Sequence, residues 1–309
     1  MYKNLNASLI GISGRQSELI ELALTYGFRG IDIDLADLVK RSLRGSFDSA
    51  ARFLTSAKLK LSSFEAPIDL DGDDDAFAAQ LTALGPAAEV AKRVGAMTAL
   101  VRIPPATDRL PFHEFFNVIR KRIDEIAAVF AAEGVQVGLH FTAIPANAAG
   151  KQFKFISDVE GFLALFRACT ATNVGMIFDS WNWHIGGGAA DQLADLPVAR
   201  VFGLRLADVT EDVNLKEVTN KDRLLPGSNN TIDNVRFVKH FADAGFKGAV
   251  TAMGHPLNSS PTRDACVALA QDALDSVLEE AGIPSQKRKP EMFAEAAYSS
   301  YRSESRDQY

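Results

Sequence analysis

Short apolar runs alternate along this chain with longer segments in which apolar residues recur every three to four positions. The runs read as buried strands and the longer segments as amphipathic helices, so their alternation predicts a parallel α/β fold. Strand one is placed at Ala7–Ile12, and a helix follows over Ser17–Thr25, whose Leu19, Leu22 and Ala23 share a face. Gly27 stops that helix, and Gly30-Ile31-Asp32-Ile33-Asp34 supplies strand two. A helix over Phe47–Ser56 precedes strand three at Leu59–Phe64, and an acidic loop over 69–75 leads into a long helix, Asp75–Val94. Strand four spans Thr98–Ile103 and stops at Pro104-Pro105; a helix over Phe112–Glu133 ends at Gly134. Strand five is Val135–Phe141, and a helix follows near Val159–Ala168. Strands six, seven and eight are Asn173–Phe178, Val201–Leu206 and Gly248–Ala252, with a closing helix over Thr262–Ala281.

Eight strands separated by helices predict a closed (β/α)₈ TIM barrel over residues 1–282. A dinucleotide-binding sheet would carry G-x-G-x-x-G at its first strand–helix turn, and Gly11-Ile12-Ser13-Gly14-Arg15 does not. Beyond Gly282 the chain turns polar and basic, so residues 283–309 read as a C-terminal arm rather than a domain, packing on the barrel or on a second subunit.

Composition narrows the function classes. The 309 residues, 47% of them hydrophobic, suit a barrel of ~250 residues with a large core. A net charge of −6 speaks against a nucleic-acid surface, and the basic clusters Arg120–Arg122 and Lys287–Lys289 read as a solvated helix face and a polar tail. Cys169 and Cys266 sit in apolar helical patterns and read as reduced core thiols. The chain has neither an apolar run of membrane-spanning length nor a signal-peptide pattern at Met1–Asn6, and the expectation is a soluble cytoplasmic protein.

In such a barrel the chemistry gathers where strands end, here Glu65, Arg102, His140, Asp179, Arg205 or Asp208, and Met253 to His255. The segment Asn173-Val174-Gly175-Met176-Ile177-Phe178-Asp179-Ser180-Trp181-Asn182-Trp183-His184 closes an apolar strand on an Asp. Gly203-Leu204-Arg205-Leu206-Ala207-Asp208, Arg223-Leu224-Leu225-Pro226-Gly227 and Gly248-Ala249-Val250-Thr251-Ala252-Met253-Gly254-His255-Pro256 follow in order. By these blocks the chain resembles the xylose-isomerase-like TIM barrels, which include sugar phosphate isomerases and epimerases and the family 2 AP endonucleases. The likeness covers about Ser8 to Leu278. It implies a divalent cation that chelates adjacent oxygens of an open-chain sugar and stabilises the enediolate.

Matched to the family's ligand pattern, the strand-five Glu is His140, the strand-six Asp is Asp179, and the His after it is Asn182. The strand-seven His is Arg205 and the strand-eight Glu is Met253. A guanidinium is always charged and cannot bind a cation, so an Arg205–Asp179 pair is expected, with no metal in the inherited position. A block shifted by one residue leaves the alternative of a remodelled site built from His140, Asp179, His184 or His255. A divalent metal (Mn, Mg or Zn) would then rest on Asp179 with His140.

Glu65, His140, Asp179, Arg205 and His255 are the candidate catalytic residues, Glu65 as a general base whose pKa apolar neighbours could raise. Arg102, Lys151, Asn182, Trp183, Asp208, Arg223 and Met253 are the candidate substrate contacts. Competing structural roles remain: pairing with Glu65 for Arg102, loop anchoring for Arg223, packing for Trp181 and Trp183, and bracing of the mouth for Asp208. Gly186-Gly187-Gly188 lacks the Lys-Ser/Thr of a phosphate loop and reads as a turn. The resemblance implies a sugar phosphate isomerase/epimerase-like protein acting on, or binding, a small carbohydrate or anionic sugar derivative. The competing class is a non-catalytic ligand-binding or regulatory descendant, and a homo-oligomer is compatible with either. A DNA endonuclease would need a multi-metal cluster and a basic face, which this sequence does not supply.

Overall fold

Parallel strands bond on both edges and bury both faces, so a closed ring of them needs helices outside and small or branched residues within. The computed structural model describes residues 1–255 and 262–285 and has that architecture. Its barrel strands are β1 (Tyr2–Leu5), β2 (Gly30–Ile31), β3 in two halves (Lys60–Leu61 and Phe64–Glu65), β4 (Thr98–Arg102) and β5 (Gln136–His140). They continue with β6 (Val174–Asp179), β7 (Val201–Leu206) and β8 (Ala249–Ala252). Each pairs in parallel with its neighbours, and β1 joins β8 through Tyr2↔Ala249. The ring closes at β3, whose first half pairs with β2 (Ile31↔Leu61) and whose second half pairs with β4 (Phe64↔Ala99). Ser62 and Ser63 bridge the halves and still bond to β2, Ser62 N to Ile31 O at 2.9 Å and Ile33 N to Ser63 O at 3.0 Å.

Inside the ring, Gly175 leaves room for the Phe202 ring from the next strand, where a Cβ would collide. Outside lie α1 (Gln16–Thr25), α2 (Leu35–Arg44), α3 (Phe47–Ser56), α4 (Asp74–Val94), α5 (Phe112–Ala132) and α6 (Val159–Ala168). They are followed by the short α7 (Ser180–Ile185) and α8 (Ala190–Ala194), then α9 (Asn234–Asp243) and α10 (Arg263–Glu280). Asp34, Ser46, Asp73, Asp158, Asp179, Asp233 and Thr262 cap their helices by accepting a first-turn backbone N–H, which explains why short polar residues stand where these helices begin.

Most predicted elements lie within a residue or two of those observed, with one clear exception. Strand one runs over Tyr2–Leu5, not Ala7–Ile12, which instead contains a single 3₁₀ turn, Ser8–Ile10, ended by Gly11 at φ 74°. The strand is disguised because two of its buried residues are polar. Lys3 Nζ pairs with Asp275 of α10 at 2.6 Å, and Asn4 bonds Asp32 and Thr251, both at 3.0 Å. Helices α2 and α9 are likewise absent from the sequence pattern, since each turns only two or three buried side chains inward.

Both cysteines are buried, and neither is in a disulfide among the described residues. The basic cluster divides: Arg120 and Lys121 pair along α5 with Asp124 and Glu125, but Arg122 is 3% exposed and is no part of a solvated face. Its guanidinium holds Leu70 O, Gly72 O and Asp74, because the loop before α4 needs donors for its carbonyls. Of the arm, Ile283 packs on the core, while Lys287–Lys289 and everything from residue 286 onward lie outside the described residues. Among the described residues no helix is long and apolar enough to cross a membrane.

The Lys3–Asp275 pair ties the first strand to the last helix, and Asp275 also accepts from Gln271 Nε2 at 2.5 Å. Removing one partner strands a buried charge, so Lys3→Ala is expected to cost about 3–5 kcal/mol in urea unfolding. The double replacement Lys3→Met with Asp275→Leu should recover most of that loss, because it removes both charges and keeps the volume.

Candidate functional site

At the C-terminal ends of the strands the barrel mouth opens into two cavities. One, of about 390 Å³, is lined by Arg102, His140, Asp179, Asn182, Arg205, Arg223 and Met253. The other, of about 530 Å³, lies between the segments following β1, β2 and β3 and includes Asp32, Phe64 and Glu65 in its wall. A third cavity of about 580 Å³ lies around Tyr2, Lys58 and Gln136, at the opposite end of the strands, away from these residues.

Arg205 stands on β7 with Asp179 of β6 as its register partner, yet the expected pair between them does not form. Both Asp179 oxygens are occupied in capping α7: Oδ1 accepts Asn182 N at 2.9 Å and Oδ2 accepts Asn182 Nδ2 at 2.8 Å. Asn182 Oδ1 in turn accepts Ala143 N at 2.9 Å, which ties the β5 exit to α7. The Arg205 guanidinium turns instead to Glu65, with Nη2 3.7 Å from Oε1. His140 reaches the same carboxylate from β5, Nε2 to Oε2 at 3.5 Å, and that buried nitrogen has no hydrogen-bond partner among the described residues.

These neighbours decide the charge states. Burial would raise the Glu65 carboxyl, but His140, Arg205 and Arg102 outweigh it and hold the group at about 2, against an ordinary 4.5. Glu65 therefore does not have the raised pKa expected of a buried base, because its apolar surroundings are interrupted by cations. Burial lowers His140 against the pull of Glu65, with Arg205 and Arg102 acting in the same direction as burial. At neutral pH the pair is an ionised carboxylate beside an uncharged imidazole. Arg223 lies over the Trp181 ring at 4.3 Å and donates to Asn220 Oδ1 at 2.8 Å, while its Nε is buried without a partner. Arg205 is 7% exposed and makes no hydrogen bond among the described residues.

One residue of the mouth, Asp32, lies outside the predicted set. It follows β2, where Asn4 Nδ2 donates to Oδ1 at 3.0 Å and Asn6 Nδ2 to Oδ2 at 2.8 Å. Burial raises its pKa, opposed first by Arg205 and then by Asn6, Ser63 and Asn4. The two-residue alternation of Gly30-Ile31-Asp32-Ile33 was the available signal, since it places Asp32 on the same face as Gly30.

Several candidates lie away from the cavities. Lys151 is exposed and pairs with Asp108 at 2.7 Å. Trp183 packs in the core on Phe178, ring centroids 5.3 Å apart, and against Gly188, the turn glycine that makes room for it. Asp208, fully buried, accepts four backbone N–H groups, from Val209, Asn229, Asn230 and Ile232 at 2.8–3.1 Å, so it braces the loop instead of facing a ligand. His255 is exposed beside Gly11, and its backbone bridges Leu224. Among the described residues no three His, Cys, Asp or Glu side chains come together as a metal-holding group.

The family model described as xylose isomerase-like TIM barrel matches residues 20–272. The chain belongs to that family. An inosose isomerase of Bacillus velezensis is 21% identical over 265 residues, 84% of this chain and 91% of the relative. Among solved structures, a xylose isomerase domain protein of Alicyclobacillus acidocaldarius superposes with a TM-score of 0.79 at 23% identity, covering 91% of this chain and 99% of the other. A zinc-bound IOLI protein superposes at 0.78 with 18% identity and the same coverage. Within this xylose isomerase-like barrel, His140, Asp179, Arg205 and Met253 at the strand ends line one cavity.

The charge states predict a pH effect. A carboxyl lowered from 4.5 to about 2 stabilises the fold above its unfolded value and loses that contribution as pH falls through the folded one. The difference in stability between the parent and Glu65→Gln should shrink between about pH 4.5 and 2. Chemical denaturation across that window measures it; a constant difference contradicts the Glu65 assignment.

Proposed function

We propose that the mouth of this barrel binds the anionic end of a small sugar or polyol derivative and moves a proton beside its carbonyl, in the manner of a sugar isomerase or epimerase, without a metal in the inherited position. The observation that carries the reading is Arg205, a buried guanidinium with no hydrogen-bond acceptor among the described residues, facing a cavity that also holds Arg102 and Arg223. Buried charges with unused donors favour an anion, and a guanidinium matches carboxylate or phosphate with two parallel bonds.

A divalent ion does not fit this donor set. Hard cations want several anionic oxygens, and here both oxygens of Asp179 are engaged with Asn182 while Arg205 puts a permanent positive charge beside them. Proton movement would fall to the protein's own groups. His140, uncharged and with Nε2 turned to Glu65, would take a proton from a carbon next to a carbonyl on its other ring nitrogen, and the ionised Glu65 would steady the imidazolium that forms. Arg205 and Arg223 would stabilise the enediolate oxygen, which carries charge only as the proton leaves. The inosose isomerase relative supports the choice of a keto-polyol or sugar substrate.

A second reading has its own observation. Glu65 at about 2 is a weak base and is held between an imidazole and a guanidinium, as in a binding site that has lost its chemistry. Deuterium uptake separates the two: incubation with keto-sugar acids in D₂O, followed by NMR, should show exchange at the carbon beside the carbonyl, and His140→Gln should abolish it. Binding without exchange favours the non-catalytic descendant.

Thermal shift tests the anionic site itself. D-Glucuronate or D-glucose 6-phosphate at 100 times its dissociation constant should stabilise the chain by ~2.7 kcal/mol. D-Glucose should do little, and Arg205→Gln should remove the effect. Stabilisation by Mn²⁺ or Zn²⁺ that EDTA reverses, without any anion effect, overturns the reading.

A further inference from the structure

The two cavities at the mouth meet where lining side chains of one touch lining side chains of the other. Glu65 lines the 530 Å³ cavity, and its carboxylate touches His140 and Arg205 of the other at 3.5 and 3.7 Å. Its side chain is 54% exposed, so it is not sealed into a core. Asp32, also in the wall of the larger cavity, lies within electrostatic reach of Arg205 from the second side. The partition is a narrow line of charged groups.

The two spaces differ in chemistry. The arginine-lined cavity presents three guanidiniums and one imidazole. The larger is walled mostly by carbon, from Ile12, Leu19, Leu35 and Phe64, with Asn6 and Asp32 along the edge nearest the barrel axis. The side chains of Asp32 and Asn6 are locked together at 2.8 Å and Asp34 caps α2, so the polar edge is held rigid. No lysine or arginine lines this second space. Each volume alone lies within the ~300–1,000 Å³ range of small-molecule sites.

Resting on the anionic-substrate reading above, we infer that the mouth is a two-compartment site. The arginine-lined compartment takes the anionic sugar end, and the compartment walled by Ile12, Leu35 and Phe64 takes an uncharged apolar group attached to it. The substrate class is then an anionic keto-glycoside, whose carbonyl lies away from the glycosidic carbon, or a similarly substituted keto-sugar acid, not a bare monosaccharide. Glu65 and Asp32 stand where the two parts join, and they reject a second negative charge there by repulsion.

The test compares ligands that differ only in the attached group: D-glucuronate with phenyl β-D-glucuronide, and D-glucose 6-phosphate with phenyl β-D-glucoside 6-phosphate, by calorimetric titration of the full chain. Burying a phenyl ring should tighten binding ~tenfold or more. Ala36 and Ser13 are exposed residues in the wall of the second compartment, so bulky replacements there are compatible with folding. Ala36→Trp, and independently Ser13→Trp, should erase the phenyl gain and leave the affinity for the bare anion within about twofold. Arg205→Gln should weaken every probe that binds. A bare anion that binds through Arg205 with no gain from the phenyl group, or a gain untouched by both tryptophans, overturns the two-compartment inference alone. Failure of all four ligands to bind, or binding indifferent to Arg205→Gln, overturns the anionic reading and this inference with it.

Discussion

A guanidinium that cannot lose its proton, fixed at the end of β7 and 7% exposed, sets the electrostatics of this barrel mouth. Several titratable groups around Arg205 respond to it. With His140 and Arg102 it holds Glu65 ionised, it adds to the burial that keeps His140 uncharged, it opposes the upward push of burial on Asp32, and it adds to the burial that lowers Arg223. A metal ion at the same level would polarise its neighbours in the same sense, but it would also need their lone pairs. The guanidinium offers N–H donors in place of coordination positions, and the carboxylates around it keep partners of their own.

Asp179 shows where one of them goes. It stays at the strand-six exit, but its oxygens serve Asn182 and the first turn of α7, and Asn182 reaches back to the β5 exit at Ala143. That chain of bonds positions the floor of the smaller cavity. Asp208 does comparable work one strand on, where four backbone N–H groups converge on it and fix the loop behind Trp181 and Arg223. Two acidic residues that resemble chemistry in the sequence thus have their oxygens engaged in loop geometry.

The barrel was legible because parallel strands covered by helices must be apolar on both faces, and apolar runs survive in the sequence as a pattern. β6 and β7 are such runs. β1 is not, since Lys3 and Asn4 are buried only by virtue of partners 272 and 247 residues away. The same difficulty hid Asp32: a carboxylate beside apolar neighbours reads as a strand end until Asn4, Asn6 and Ser63 are seen converging on it. Lys151 and Trp183 pose the opposite difficulty, because in sequence a basic loop residue and a tryptophan look alike whether they face a ligand or, as in the structure, Asp108 and Phe178.

By itself the sequence determined the barrel, its boundaries to within a few residues for most elements, and the residue type at each strand end, because periodicity and order are local properties of the chain. Only the tertiary structure decided which charges meet. Register placed Arg205 beside Asp179, yet side-chain reach and prior engagement sent it to Glu65, on a strand far away in sequence and on the opposite side of the ring. A pairing across a closed barrel depends on its radius and on which lone pairs are already in use, and neither quantity is written in any one segment.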